Sequence, residues 1–97
     1  MKAYEVLIIL DPALSDDDRV AALKRISDLV TVEGSTLDNI DEWGKRKLAY
    51  EINKQSEGDY LLVEFHADPS AVDEIDRVLS ITDSVIRFII TLRDEKS

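Results

Sequence analysis

The residues of this chain best suited to meeting a ligand are basic and aromatic neighbours. Lys45-Arg46-Lys47 follows Trp43-Gly44 directly and precedes Leu48-Ala49-Tyr50. Cations beside rings suit a nucleic-acid backbone, because the cations meet phosphates and the rings offer faces on which unpaired bases stack. Three adjacent basic residues also occur on strands that only face water, so this run alone leaves both readings open. Lys2 near the start and Arg87 near the end could extend a patch if the fold brings them to one side.

Other chemistries have little to stand on. There is no cysteine, which excludes disulfides, thiolate metal sites and cysteine nucleophiles. The one histidine, His66, could move a proton, but it has no partner evident in the sequence and reads as a surface residue at a strand end. Asp16-Asp17-Asp18 could face a divalent cation, yet no calcium-loop spacing follows. Capping a helix and complementing its dipole explain the run more simply. Only three glycines are present, in neither of the spacings that cradle nucleotide phosphates. No catalytic residue, metal or cofactor is expected.

The elements that must carry the basic run follow from patterning. Tyr4 to Leu10 is almost continuously apolar and stops at Asp11-Pro12, as a central strand would. Ser15 and Asp18 form an N-cap and capping-box pair, and Val20, Leu23, Ile26 and Val30 give the following helix an apolar stripe that ends near Glu33-Gly34. Leu37 to Ile52 is extended, with Gly44 marking a bulge or bend. Residues 53–58 are polar and read as the loop of a wide hairpin, and Tyr60 to His66 as its return strand. Asp68-Pro69 opens a second helix with the stripe Val72, Ile75, Val78 and Leu79, and Val85 to Leu92 is a last strand.

The order β-α-β-β-α-β predicts an α+β fold: a ferredoxin-like split βαβ, with a four-stranded antiparallel sheet and two helices on one face. Residues 1–93 form the single domain, and 94–97 a short polar C-terminal tail. Leu61, Val63 and Phe65 are expected under the helices, with Ile86, Phe88, Ile90 and Leu92 beside them. Tyr60, Leu62, Glu64 and His66 then point outward, as do Arg87, Ile89 and Arg93. An open face mixing Tyr60, Leu62 and Ile89 with arginines looks like an interaction surface.

Ninety-seven residues suit one domain, which can bury roughly 60–70% of its unfolded surface. The formal charge is -9, from 12 basic and 21 acidic residues. A polyanion partner therefore requires segregated charge. The acidic residues do gather in helix starts and loops, at Asp16, Asp17, Asp18, Asp73, Glu74 and Asp76. No apolar run approaches the ~20 residues needed to span a bilayer, and no signal-peptide pattern opens the chain. The expectation is a cytoplasmic protein without a membrane partner.

Four segments together carry a resemblance to a known family. They are Trp43-Gly44-Lys45-Arg46-Lys47-Leu48-Ala49-Tyr50-Glu51-Ile52, the opening Lys2-Ala3-Tyr4-Glu5, the step Gly58-Asp59-Tyr60, and the closing Asp83-Ser84-Val85-Ile86-Arg87. On these the chain resembles the bacterial small-subunit ribosomal proteins of the S-six family, over essentially its whole length. The resemblance implies a non-enzymatic protein of the cytoplasmic ribosome. It would bind the central domain of small-subunit ribosomal RNA together with the S-eighteen ribosomal protein, as a heterodimer, with no small-molecule substrate. Carried over by position, the RNA side is Lys2, Lys45, Arg46, Lys47 and Arg87, with Tyr4 and Trp43 nearby. The partner surface is Tyr60 and Leu62, to which the open face adds Ile89. Independently, a net acidic chain should bind RNA poorly alone, and a basic partner would cancel its field.

Two other classes use the same fold. An acylphosphatase-type enzyme needs an arginine in the loop after the first strand, where this chain has Asp11-Pro12-Ala13-Leu14. A small-molecule regulatory module pairing through its sheet would show ligand-dependent stabilisation without RNA. The third strand also lacks the basic-glycine start of an RNA-recognition motif.

Overall fold

A computed structural model describes residues 1–52 and 54–93. Its elements are β1 (Lys2–Leu10), α1 (Asp16–Val30), a 3₁₀ turn (Val32–Gly34), β2 (Thr36–Ile52), β3 (Gln55–Ala67), α2 (Pro69–Ser80) and β4 (Val85–Leu92). The strands form one antiparallel sheet in the order β2-β3-β1-β4. This is the ferredoxin-like arrangement, and the apolar strands β1 and β3 take its centre.

Alternation along the strands divides the sheet into two faces. Val6, Ile8, Leu10, Leu61, Val63 and Phe65 are fully buried and meet Ala22, Ile26 and Val30 of α1 and Ala71, Ile75 and Leu79 of α2. The helical stripes differ in detail from the sequence reading. Val20 is 65% exposed, and Ala22 takes the buried place beside Ile26 and Val30. The α1 axis meets the sheet along Ala22-Ile26-Val30, a strict i, i+4, i+8 line that leaves Val20 off to one side. In α2 the buried line is Ala71-Ile75-Leu79, again rotated by one residue from Val72 and Val78. Small alanines allow each helix to approach the sheet closely, which a count of large apolar residues overlooks. Leu92, expected beneath the helices, is 61% exposed because it lies at the end of an edge strand.

The ends of the helices follow the expected chemistry only in part. The Ser15 hydroxyl accepts a hydrogen bond from the Asp18 amide at 3.2 Å, with three aspartates in the first turn. The helix ends at Val30, ahead of the expected Glu33-Gly34, and Gly34 supplies its positive φ of 81° within the 3₁₀ turn that follows. Asp68 occupies the N-cap position of α2, but its side chain makes no capping bond and lies 3.8 Å from the N-terminal amine.

The β2–β3 hairpin is tight, not wide. Ile52 pairs with Gln55, Lys54 has a φ of 65°, and the expected loop from Gln55 to Gly58 is strand. Asn53 lies outside the described residues, as does the expected tail 94–97. The hairpin therefore projects as a long arm. Gly58 lets the arm lie against β1, because a Cβ there would sit 2.3 Å from Ile9 Cγ2 and 3.3 Å from Leu48 Cδ2. Gly58→Ala is expected to displace Ile9 and cost about 1–3 kcal/mol, as overpacking does. Urea unfolding checks this, and an unchanged midpoint would show that the arm does not pack on Ile9.

Candidate nucleic-acid interface

Strand register turns the open face into rows. Arg87, Ile9 and Tyr60 lie side by side on β4, β1 and β3, with Gly44 of β2 completing the row. The next row is Ile89, Leu7, Leu62 and Asp41, and the one beyond it runs through Thr91, Glu5 and Glu64. The face is thus basic and aromatic at one end, apolar in the middle and acidic at the other. At the acidic end, Arg93 donates to Glu64 Oε2 at 2.9 Å and to Asp38 Oδ2 at 2.5 Å. His66, read from sequence as a surface residue without a partner, has Nδ1 2.6 Å from the same Asp38 oxygen.

At the basic end a bulge does the positioning. The β2–β3 register shifts between Glu42 and Gly44, so Trp43 and Gly44 both stand opposite Tyr60. Gly44 has a φ of 81°, a conformation that favours glycine. Trp43 keeps the open face it shares with Asp41, two residues before it, and its ring stacks on Tyr60 at 6.3 Å between centroids and 9° between planes. The Arg46 guanidinium carbon sits 5.6 Å from the Trp43 ring centroid, within cation–π range. Trp43 Nε1 donates to Asp41 Oδ2 at 2.9 Å, which fixes the indole's orientation. Across the face, Arg87 Nη1 donates to the Tyr50 hydroxyl at 2.6 Å, so the arm reaches over to β4. Arg46, Trp43, Tyr60 and Arg87 are brought together as one surface of two cations and two rings.

The other expected contacts are dispersed. After the bulge, Lys45 stands opposite Asp59 and Lys47 opposite Glu57, both on the alternation that faces the helix side, while Arg46 stands opposite Gly58 on the open side. Lys45 lines a small cleft with Asp11, Asp16 and Arg19. Tyr4 does not reach the surface: it is 8% exposed and stacks on Phe65 at 5.8 Å, on the helix-covered face. Lys2 shares that alternation and pairs with Ala67, seven residues along β1 from Ile9, or about 23 Å at the usual strand rise. It belongs to the opposite end of the sheet. The expected partner residues Tyr60, Leu62 and Ile89 do share the open face, with Ile89 49% exposed. Between Leu62 and Ile89 stands Leu7, a residue sequence reasoning left out. Its only signal was a strand apolar on both faces, which hides alternation.

Behind the bulge, on the helix side, Arg19 of α1 donates from Nε to Asp59 Oδ2 at 2.5 Å and lies with Nη1 2.8 Å from Glu42 Oε1. The Asp59 side chain is 5% exposed. The bond to Asp59, followed by that to Glu42, holds the Arg19 guanidinium above its ordinary range. Among the described residues no cluster of metal-ligating side chains occurs, and no helix is long and apolar enough to cross a membrane.

A family model described as Ribosomal protein S6 matches residues 3–91. The chain belongs to that family. The small ribosomal subunit protein bS6 of Thermoanaerobacter pseudethanolicus is 44% identical over 95 residues, covering 98% of this chain and 100% of the relative. That of Clostridium kluyveri is 46% identical over 96 residues, covering 99% and 100%. The crystal structure of 30S ribosomal protein S6 from Thermotoga maritima superposes with a TM-score of 0.89 at 28% identity, covering 95% of this chain and 87% of that one. The S-six family is non-enzymatic and belongs to the small subunit of the cytoplasmic bacterial ribosome. The β-α-β-β-α-β order read from sequence is therefore the family's fold as well as this chain's.

Proposed function

We propose that this S-six family member binds the central domain of small-subunit ribosomal RNA through the basic, aromatic end of its open face, paired with the S-eighteen ribosomal protein. The observation that supports it best is the convergence of Arg46, Trp43, Tyr60 and Arg87 at one end of a rigid sheet. Two guanidiniums fix the orientation of a phosphate backbone without reading much sequence. The stacked rings add a face for an unpaired base. The apolar middle row of Ile89, Leu7 and Leu62 suits a protein partner, and a basic one offsets the chain's -9 charge.

The test is binding to a central-domain fragment, with and without the basic partner, across a salt series. The pair should bind far more tightly than the chain alone, with log affinity falling by roughly 0.7–0.9 per phosphate neutralised for each unit of log salt. Equal binding by the isolated chain would remove the pairing. No binding by either would remove the RNA role.

A further inference from the structure

We propose that Arg19 is a positioning residue for the RNA contact: from the helix side it grips both strands around the bulge and so holds Trp43 and Arg46 in place on the open face. The inference rests on the RNA-binding reading above and concerns a residue that touches no RNA in it. Glu42 immediately precedes the bulged Trp43, and Asp59 stands opposite Lys45, just past it. Arg19 bonds to both, to Glu42 through Nη1 and to Asp59 through Nε and Nη2. Its grip therefore falls on either side of the residue that carries the indole, with the sheet one layer thick between the clamp and the Trp43–Tyr60 stack. Asp59 is buried, so its carboxylate requires a paired cation. Arg19 is the side chain that reaches it from the helix layer.

A bulge is a place where a strand bends and its hydrogen-bond ladder is locally disrupted. Without the clamp the hairpin keeps its hydrogen bonds but gains freedom at residues 42–45. Trp43 and Arg46 then have to be ordered on binding, which weakens affinity. A lysine at position 19 supplies a point charge but cannot serve two carboxylates in a fixed fork. It should restore stability without restoring the geometry.

Trp43 is the only tryptophan in the chain, so its fluorescence reports the bulge directly. The variants are Arg19→Met, Arg19→Lys and, in case the first does not fold, Glu42→Gln, which keeps the buried Arg19–Asp59 pair. In the free chain, at a temperature where far-ultraviolet circular dichroism shows native structure, each should give a red-shifted and more readily quenched Trp43 emission. Paired with its basic partner on the RNA fragment, each should bind roughly ten-fold more weakly, and that loss should vanish in a Trp43→Ala/Arg46→Ala background. Wild-type emission in the folded variants, or a loss that simply adds to that of the double background, overturns the positioning role. If the wild-type pair does not bind the RNA while the emission shifts, the RNA reading fails and the clamp on Trp43 stands.

Discussion

Phe65→Ala is expected to lower stability by about 3–5 kcal/mol, the range for removing a buried phenylalanine. Phe65 is 0% exposed on central strand β3, stacks on Tyr4, and belongs to the cluster that joins both helices to the sheet. Its removal leaves a cavity bounded by a regular sheet, which cannot collapse into the space. For a domain of this size each kcal/mol lowers the melting temperature by roughly 4–8 °C, so a fall of about 12–40 °C should follow. Urea titration with an unchanged slope would assign the loss to the folded state. A loss under about 1 kcal/mol would mean that the core is not centered on Phe65.

The largest functional effect is expected from reversing charge on the open face. Arg46→Glu and Arg87→Glu should each weaken RNA binding by the pair by about ten- to a hundred-fold, the equivalent of one charged hydrogen bond lost. Each should also reduce the salt slope by about one phosphate. Both side chains are exposed and outside the buried core, so the fold should survive. Arg46→Glu additionally removes the cation from the Trp43 ring, and Arg87→Glu breaks the bond to Tyr50. The same reversal at Lys45 or Lys47 should do less, since those residues stand on the helix side of the strand. Filter binding or fluorescence anisotropy across salt decides between them. An equal or larger loss at Lys45 would place the RNA along the rim of the hairpin and away from the open face.

Both expectations depend on a distinction that the linear chain carries only in part. Leu61, Val63 and Phe65 could be assigned to the core from alternation alone, because β3 is apolar on one face and mixed on the other. Gly44 could be read as a bulge because a lone glycine in a long extended run has few other uses. Position carried over from the family resemblance put Tyr4 and Lys2 on the RNA side, away from where the structure has them. Tyr4 lies in a strand apolar on both faces, so its direction is set by pairing with Phe65, 61 residues away. Lys2 stays near Tyr4 on the same strand, but antiparallel pairing puts it at the end of the sheet away from Arg87 and Tyr60.

The basic run shows the limit most clearly. Three adjacent side chains on a strand cannot all point one way, and which of them faces the ligand depends on the parity of the strand. The bulge at Trp43 resets that parity by one residue, and it sends Arg46 outward and Lys45 and Lys47 back. Arg19 and Glu42 carried no motif, and Asp59 stood out only as part of the Gly58-Asp59-Tyr60 step, since a charged residue on a helix and two on separate strands meet only when the layers pack.

The order of elements, the family and the residue types of the interface are properties of the sequence, because apolar periodicity, caps, breakers and short signatures are local. Which cations share a surface, which ring faces outward and what holds the bulge were decided by tertiary structure, because strand register and layer packing couple residues tens of positions apart and a shift of one residue moves a side chain to the other face.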